Sequence, residues 1–178
     1  MGVFEYLAVL ISIVVGLGLT HLLVSITRVI HARHSARVYW VQLVWALNLA
    51  LWLIAFWWFT FALNTVTEWT YGLYVFLIVY AVLLYLLAAL LFPHDPPDDQ
   101  DYQSHFFTNR RWFFGALAVF ALVDVVDFII KAGTGAEAVT LWPYLLFIVP
   151  IITLSITAIF VERRGFHAFF ALFFLVWV

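Results

Sequence analysis

Long runs of apolar residues, broken by short polar stretches, organise this chain. The runs cover 3–27, 40–63, 71–92, 112–130, 141–161 and 166–178. Each of the first five supplies the roughly 20 residues that an α-helix needs to cross a hydrocarbon layer of about 30 Å. The sixth holds about 13 residues, which at about 1.5 Å per residue reach only about 20 Å. It either crosses a locally thinned bilayer or stops inside it. Unpaired backbone groups have no water to bind in hydrocarbon, so helices are the expected form. The predicted fold is therefore all-α: one transmembrane domain over 1–178, a polytopic bundle of five long helices and a short sixth.

The polar stretches fix an orientation. Arg28, Arg33 and Arg37 follow the first run, Arg110 and Arg111 precede the fourth, and Arg163 and Arg164 separate the fifth from the sixth. These are alternate connections, so all seven arginines fall on one side. Lys131, Glu5, Glu68 and Glu137 fall on the other. Positive charge marks the cytoplasmic side, which predicts an N-terminus outside. Met1-Gly2-Val3-Phe4-Glu5 carries an acid and no base, unlike a cleavable signal. The largest connection, 93–111, is expected in the cytoplasm. Its Pro- and Asp-rich first half reads as extended and solvated. Its second half, with Tyr102, His105, Phe106, Phe107, Arg110 and Arg111, reads as an interfacial helix along the headgroups.

Composition agrees with lipid as the solvent. The chain is 67% hydrophobic and 10% charged, against about half and about a quarter in soluble domains. A net charge of −2 gives no bulk attraction to nucleic acid, so none is expected as a partner. With no cysteine there are no disulfides and no thiolate ligands. Walker, dinucleotide-fingerprint, zinc-protease and nucleophile-elbow motifs are all missing, so the chain is read as non-enzymatic and without cofactor.

Several phrases stand out: Tyr6-Leu-Ala-Val-Leu-Ile-Ser-Ile, Gly16-Leu-Gly-Leu-Thr-His21, Trp45-Ala-Leu-Asn48, Phe56-Trp57-Trp58 and Asn109-Arg-Arg-Trp112-Phe-Phe-Gly115. In these the chain resembles a group of small bacterial multi-pass inner-membrane proteins with no established activity. The resemblance covers most of the first 130 residues. It implies a bacterial inner membrane and carries over no functional residue.

Candidate chemistry lies in the polar residues placed at depth, where an ionisable group costs about 2.5–3.5 kcal/mol on insertion scales. Asp124 and Asp127 share one face of the fourth helix, with Lys131 four residues after Asp127. One reading is a structural Asp127–Lys131 pair, with Asp124 bonded to a neighbouring helix. The other is a cation or proton site at Asp124, facing an internal cavity. His21 in the first helix, followed by Ser25 and Arg28, is either bonded to a neighbour or part of a proton relay. A haem would need a second axial side chain at the same depth, and the other histidines, His31, His34, His94, His105 and His167, read as loop or interface residues. Asn48 is at a depth where it could meet His21, or it is interhelical glue. His94, Asp98, Asp99, Asp101 and His105 read as solvated charge rather than a metal site. Trp52 and the Trp57-Trp58 pair line either a helix interface or an apolar ligand pocket. His21 to Arg28 and Asp124 to Lys131 share one spacing, a faint echo of an inverted repeat.

Two function classes follow. One is a small channel or transporter using Asp124, with Asp127, His21 and Asn48 in support. The other is a non-catalytic subunit that docks to membrane partners or to copies of itself. The orientation is open to a direct test, since the chain has no native cysteine. A cysteine placed at Ser35 is expected to resist a membrane-impermeant maleimide added from outside. Prompt labelling from that side would reverse the topology.

Overall fold

The computed structural model describes residues 3–66, 68–94, 97, 99–134 and 141–177. Among them the expected elements form in order: α1 (Val3–His31), α2 (Trp40–Thr60), a short 3₁₀ turn (Phe61–Thr65), α3 (Tyr71–Leu91), α4 (Tyr102–Thr134), α5 (Leu141–Phe160) and α6 (Arg164–Trp177). The first five are long and apolar enough to cross a membrane, and α6 is shorter. The fold is a helical membrane bundle. Glu137, Asp95, Asp98 and Val178 lie outside the described residues.

Two boundaries differ from the hydrophobic runs. Helix α1 continues to His31, a turn past its apolar run. Helix α4 begins at Tyr102, so the aromatic segment before Trp112 is its first turns rather than a separate headgroup helix. Asp101 starts it: its carboxylate accepts from the Ser104 amide at 3.0 Å, an N-cap bond. Phe106, Arg110, Phe113, Phe114 and Leu117 are all buried. Their helical spacing forms one continuous face that extends the spanning helix, and that face meets protein. The rings of Phe106 and Phe114 lie 5.5 and 5.2 Å from the His167 ring of α6.

Helix α2 is the hub. It packs on α1, α3 and α6 and touches α4; α1 lies along α3, and α4 lies along both α3 and α5. The two halves of the chain thus pack differently, which gives the inverted-repeat echo no counterpart. Trp45 of α2 is fully buried, with the rings of Phe113 and Phe114 from α4 and Phe170 and Phe174 from α6 at 5.0–5.5 Å. On α6, His167, Phe170, Ala171 and Phe174 face inward, a one-sided stripe that holds the short helix by packing. Elsewhere the outward faces are apolar, as with Leu17, Ile54, Val79, Leu122, Ile129 and Val149. This is the surface a hydrocarbon solvent requires.

The arginine end is tied down. The Arg28 guanidinium donates to the His94 carbonyl at 2.9 Å. Arg37 sits 3.5 Å from the Asp101 carboxylate, and the Arg37 backbone pairs with Gln100 and Tyr102. Arg110 pairs with Glu162, linking α4 to the α5–α6 connection.

Gly18 is where α1 comes close to α2. A Cβ there would stand 3.1 Å from a Leu53 methyl group, whereas at Gly16 it would meet open space. Gly18→Val is therefore expected to lower stability by about 1–3 kcal/mol through overpacking. Gly16→Val is expected to change it by less than about 0.5 kcal/mol. Reversible unfolding in mixed micelles compares the two, and equal effects would contradict the close approach.

Candidate functional site

Asp124, Asp127 and Lys131 project from the final third of α4, toward the bilayer face opposite the arginines. Asp124 stands ten residues before the helix end, or about 15 Å from it along the axis. The Asp127 carboxylate meets the Lys131 ammonium at 2.7 Å, four residues apart, with both side chains about nine-tenths buried. The expected pair is present. A buried pair of this kind is costly to break on one side only, because the partner's charge then loses its nearest compensation.

Asp124 is bonded to neighbouring helices, as one of the two readings expected, through partners that the sequence did not single out. The Tyr80 hydroxyl of α3 donates to one carboxylate oxygen at 2.6 Å, and the Tyr144 hydroxyl of α5 donates to the other at 3.0 Å. Three helices thus converge on one carboxyl group. Tyr80 is almost fully buried, its ring packed edge-on against Phe56 at 4.9 Å. Tyr144 stacks on Phe128 with ring centroids 3.9 Å apart. Both phenols are fixed by their rings, so their hydroxyls reach Asp124 at defined positions. The missed signal was a tyrosine within a span, since an O–H in hydrocarbon seeks an acceptor.

Beside this group lies a cavity of about 260 Å³. Helix α2 contributes Trp52, Ala55, Phe56 and Phe59, and α3 contributes Tyr80. Helix α4 adds Asp124, Asp127, Phe128 and Lys131, and α5 adds Tyr144 and Phe147. Two acids and one base give the lining a formal charge of −1. A carboxylate offers about four lone-pair positions. Asp124 uses two of these on the phenols, which leaves acceptor capacity at the cavity wall. Toward the arginine end stands an aromatic layer: Trp52 stacks on Phe147 at 5.7 Å and meets Phe120 and Phe174 at the same distance.

The remaining candidates lie elsewhere. His21 sits toward the arginine end, close enough to Arg28 and His94 to feel their charge, and its Nε2 is buried without a hydrogen-bond partner. By helix rise it is about 27 Å from the start of α1, in the other half of the bilayer from Asp124. Asn48 donates from Nδ2 to the Ala171 carbonyl of α6 at 2.9 Å. It ties α2 to α6, and among the described residues no hydrogen bond joins it to His21. Of the tryptophans singled out, Trp52 enters the cavity wall, while Trp58 is 75% exposed on the lipid side. Among the described residues no cluster of three His, Cys, Asp or Glu side chains could hold a metal. Comparison with family models, curated proteins and solved structures finds no match for the chain.

The Asp127–Lys131 pair predicts a non-additive double-mutant cycle. Asp127→Asn and Lys131→Gln should each destabilise the fold, and the double variant should recover part of the loss. The expected coupling is about 0.5–3 kcal/mol. Unfolding of the four proteins measures it, and strictly additive losses would mean the pair contributes nothing.

Proposed function

We propose that the chain is a small transport protein of a bacterial inner membrane, non-enzymatic, with Asp124 as the group that binds a proton or cation on its way through. One observation carries this reading: a carboxylate at depth that borders a cavity and keeps acceptor capacity beyond its two tyrosine bonds. A carboxylate whose only task was to tie helices together would need no chamber beside it. Asp127 and Lys131 support the site by keeping a compensated pair in the same wall.

With the arginines in the cytoplasm, the cavity belongs to the outer half of the bilayer and the N-terminus is outside. On this reading the ring contacts of Trp52 and, below it, of Trp45 form the barrier toward the arginine side. Transport on this reading requires the Trp52 layer to part while Asp124 is loaded, which is the logic of alternating access. A docking-subunit role is the second reading. Its support is the exposed aromatic end of α2 and the turn after it, where Trp58 and Phe61 face outward. Aromatic residues at that level also serve as a membrane belt. Assembly into a homo-oligomer, or with other membrane subunits, is compatible with either role.

Flux decides between the two. In proteoliposomes the parent chain should carry protons or monovalent cations above the empty-vesicle rate. Asp124→Asn should bring that rate to background while the protein still reconstitutes. Asp127→Asn should act chiefly by lowering folded yield. A parent chain with no flux for any ion tried would remove the transport reading.

A further inference from the structure

We propose that the cavity beside Asp124 takes a small organic ammonium ion, whose N–H donates to the Asp124 carboxylate and whose apolar part lies against Trp52, Phe56 and Tyr144. This rests on the reading of Asp124 as a transport site and names its substrate class.

The wall chemistry selects the class. Hard inorganic cations take about six or more oxygen ligands. Here only two carboxylates face the space, the Asp127 one is already paired with Lys131 at 2.7 Å, and among the described residues no cluster of three His, Cys, Asp or Glu side chains could hold a metal. The rest of the lining is mostly aromatic carbon. A bare proton would need Asp124 but no chamber of about 260 Å³. That volume lies just below the usual range of about 300–1,000 Å³ for ligand sites, so it suits a molecule of several heavy atoms rather than a large solute.

Charge points the same way. The lining carries a formal excess of one negative charge, so an anion would meet Asp124 unfavourably. A neutral apolar guest would leave the remaining lone pairs of Asp124 unused. An ammonium ion satisfies both halves of the site. Its N–H groups complete the carboxylate, and aromatic rings attract a cation by about 0.5–2 kcal/mol, more when desolvated. Simple amines titrate near the lysine value of about 10.4, so they carry this charge at neutral pH.

The probe is benzylammonium, with benzyl alcohol as its neutral isostere and potassium chloride as the inorganic control. Each is titrated calorimetrically into the full chain in lipid nanodiscs, with empty nanodiscs subtracted. Benzylammonium is expected to bind at least about tenfold more tightly than benzyl alcohol, a difference of about 1.4 kcal/mol, and potassium should give no saturable heat. Asp124→Asn should remove that preference and leave benzyl alcohol unchanged. Trp52→Leu, and Phe59→Leu at the half-exposed rim, should each weaken benzylammonium without altering the parent's melting temperature by more than a few degrees.

Equal affinity for the amine and the alcohol would overturn the proposal. So would Asp124→Asn with undiminished amine binding in a folded protein, or retention of full affinity in both ring variants. Proton or potassium flux without amine binding would reject the ammonium class and leave the transport reading standing. Amine binding without flux of any species would keep the ammonium site and reject transport.

Discussion

A carboxyl group placed among apolar helices has no water to satisfy it, and the helices must arrange themselves around that demand. Asp124 meets it with two phenols drawn from different elements, Tyr80 on α3 and Tyr144 on α5. Hydrogen bonds to a charged group contribute about 1.5–3 kcal/mol each, and these two act between helices that have no hydrophobic force pulling them together in lipid. The α3–α4–α5 side of the bundle is organised by that one carboxylate. The α2–α4–α6 side is organised differently, by ring packing about Trp45 and by the Asn48 bond to the Ala171 carbonyl. The cavity lies where the polar arrangement meets the aromatic one.

The two ends of the bundle are built to different specifications. At the arginine end, charged side chains reach across connections: Arg28 to His94, Arg37 to Asp101, and Arg110 to Glu162. These contacts explain why much of the 93–111 connection has a defined course despite its prolines and acids. At the opposite end the polar groups turn inward, into the cavity wall. An exposed ion pair such as Arg37–Asp101 contributes about 0–1 kcal/mol, so that contact is better understood as fixing register and loop path than as a source of stability.

Much of this was legible in the sequence, for reasons that can be named. Hydrocarbon thickness dictates helix length, so the six apolar runs gave the elements. An acid four residues before a base gave the Asp127–Lys131 pair. Cost at depth singled out Asp124. Its partners were harder to see, because tyrosine serves as both belt residue and buried donor, and a single chain does not say which helices are neighbours. The same ambiguity misplaced the start of α4. Phe106 and Phe107 look alike whether they face headgroups or α6, and only the course of α6 decides. Asn48 was correctly suspected as glue, but the partner imagined for it, His21, lies on α1, whereas the bond goes to α6. Helix order in space, unlike helix length, is set by packing that no local pattern encodes.

The cavity wall contributed by α5 has a property of its own. The buried residues of α5 are Ile148, just before Pro150, and Ile151, Ser155 and Ala158 in its arginine-side half. The residues before Ile148, which include Tyr144 and Phe147, are only partly buried or exposed. Pro150 sits at the divide, and a proline inside a helix removes one backbone bond and provides a natural bending point. The outer half of α5 is thus less buried than the rest, jointed at its base, and tethered to α4 through the Tyr144 hydroxyl on Asp124 and the Phe128 ring. Under the proposed reading, a cation that takes one of the remaining lone pairs of Asp124 binds the same carboxylate that holds that tether. Loading the site and anchoring this half-helix then fall on one group, because both draw on the same carboxylate. That coupling needs no signal passed over a distance, since the group that binds is the group that holds the wall in place.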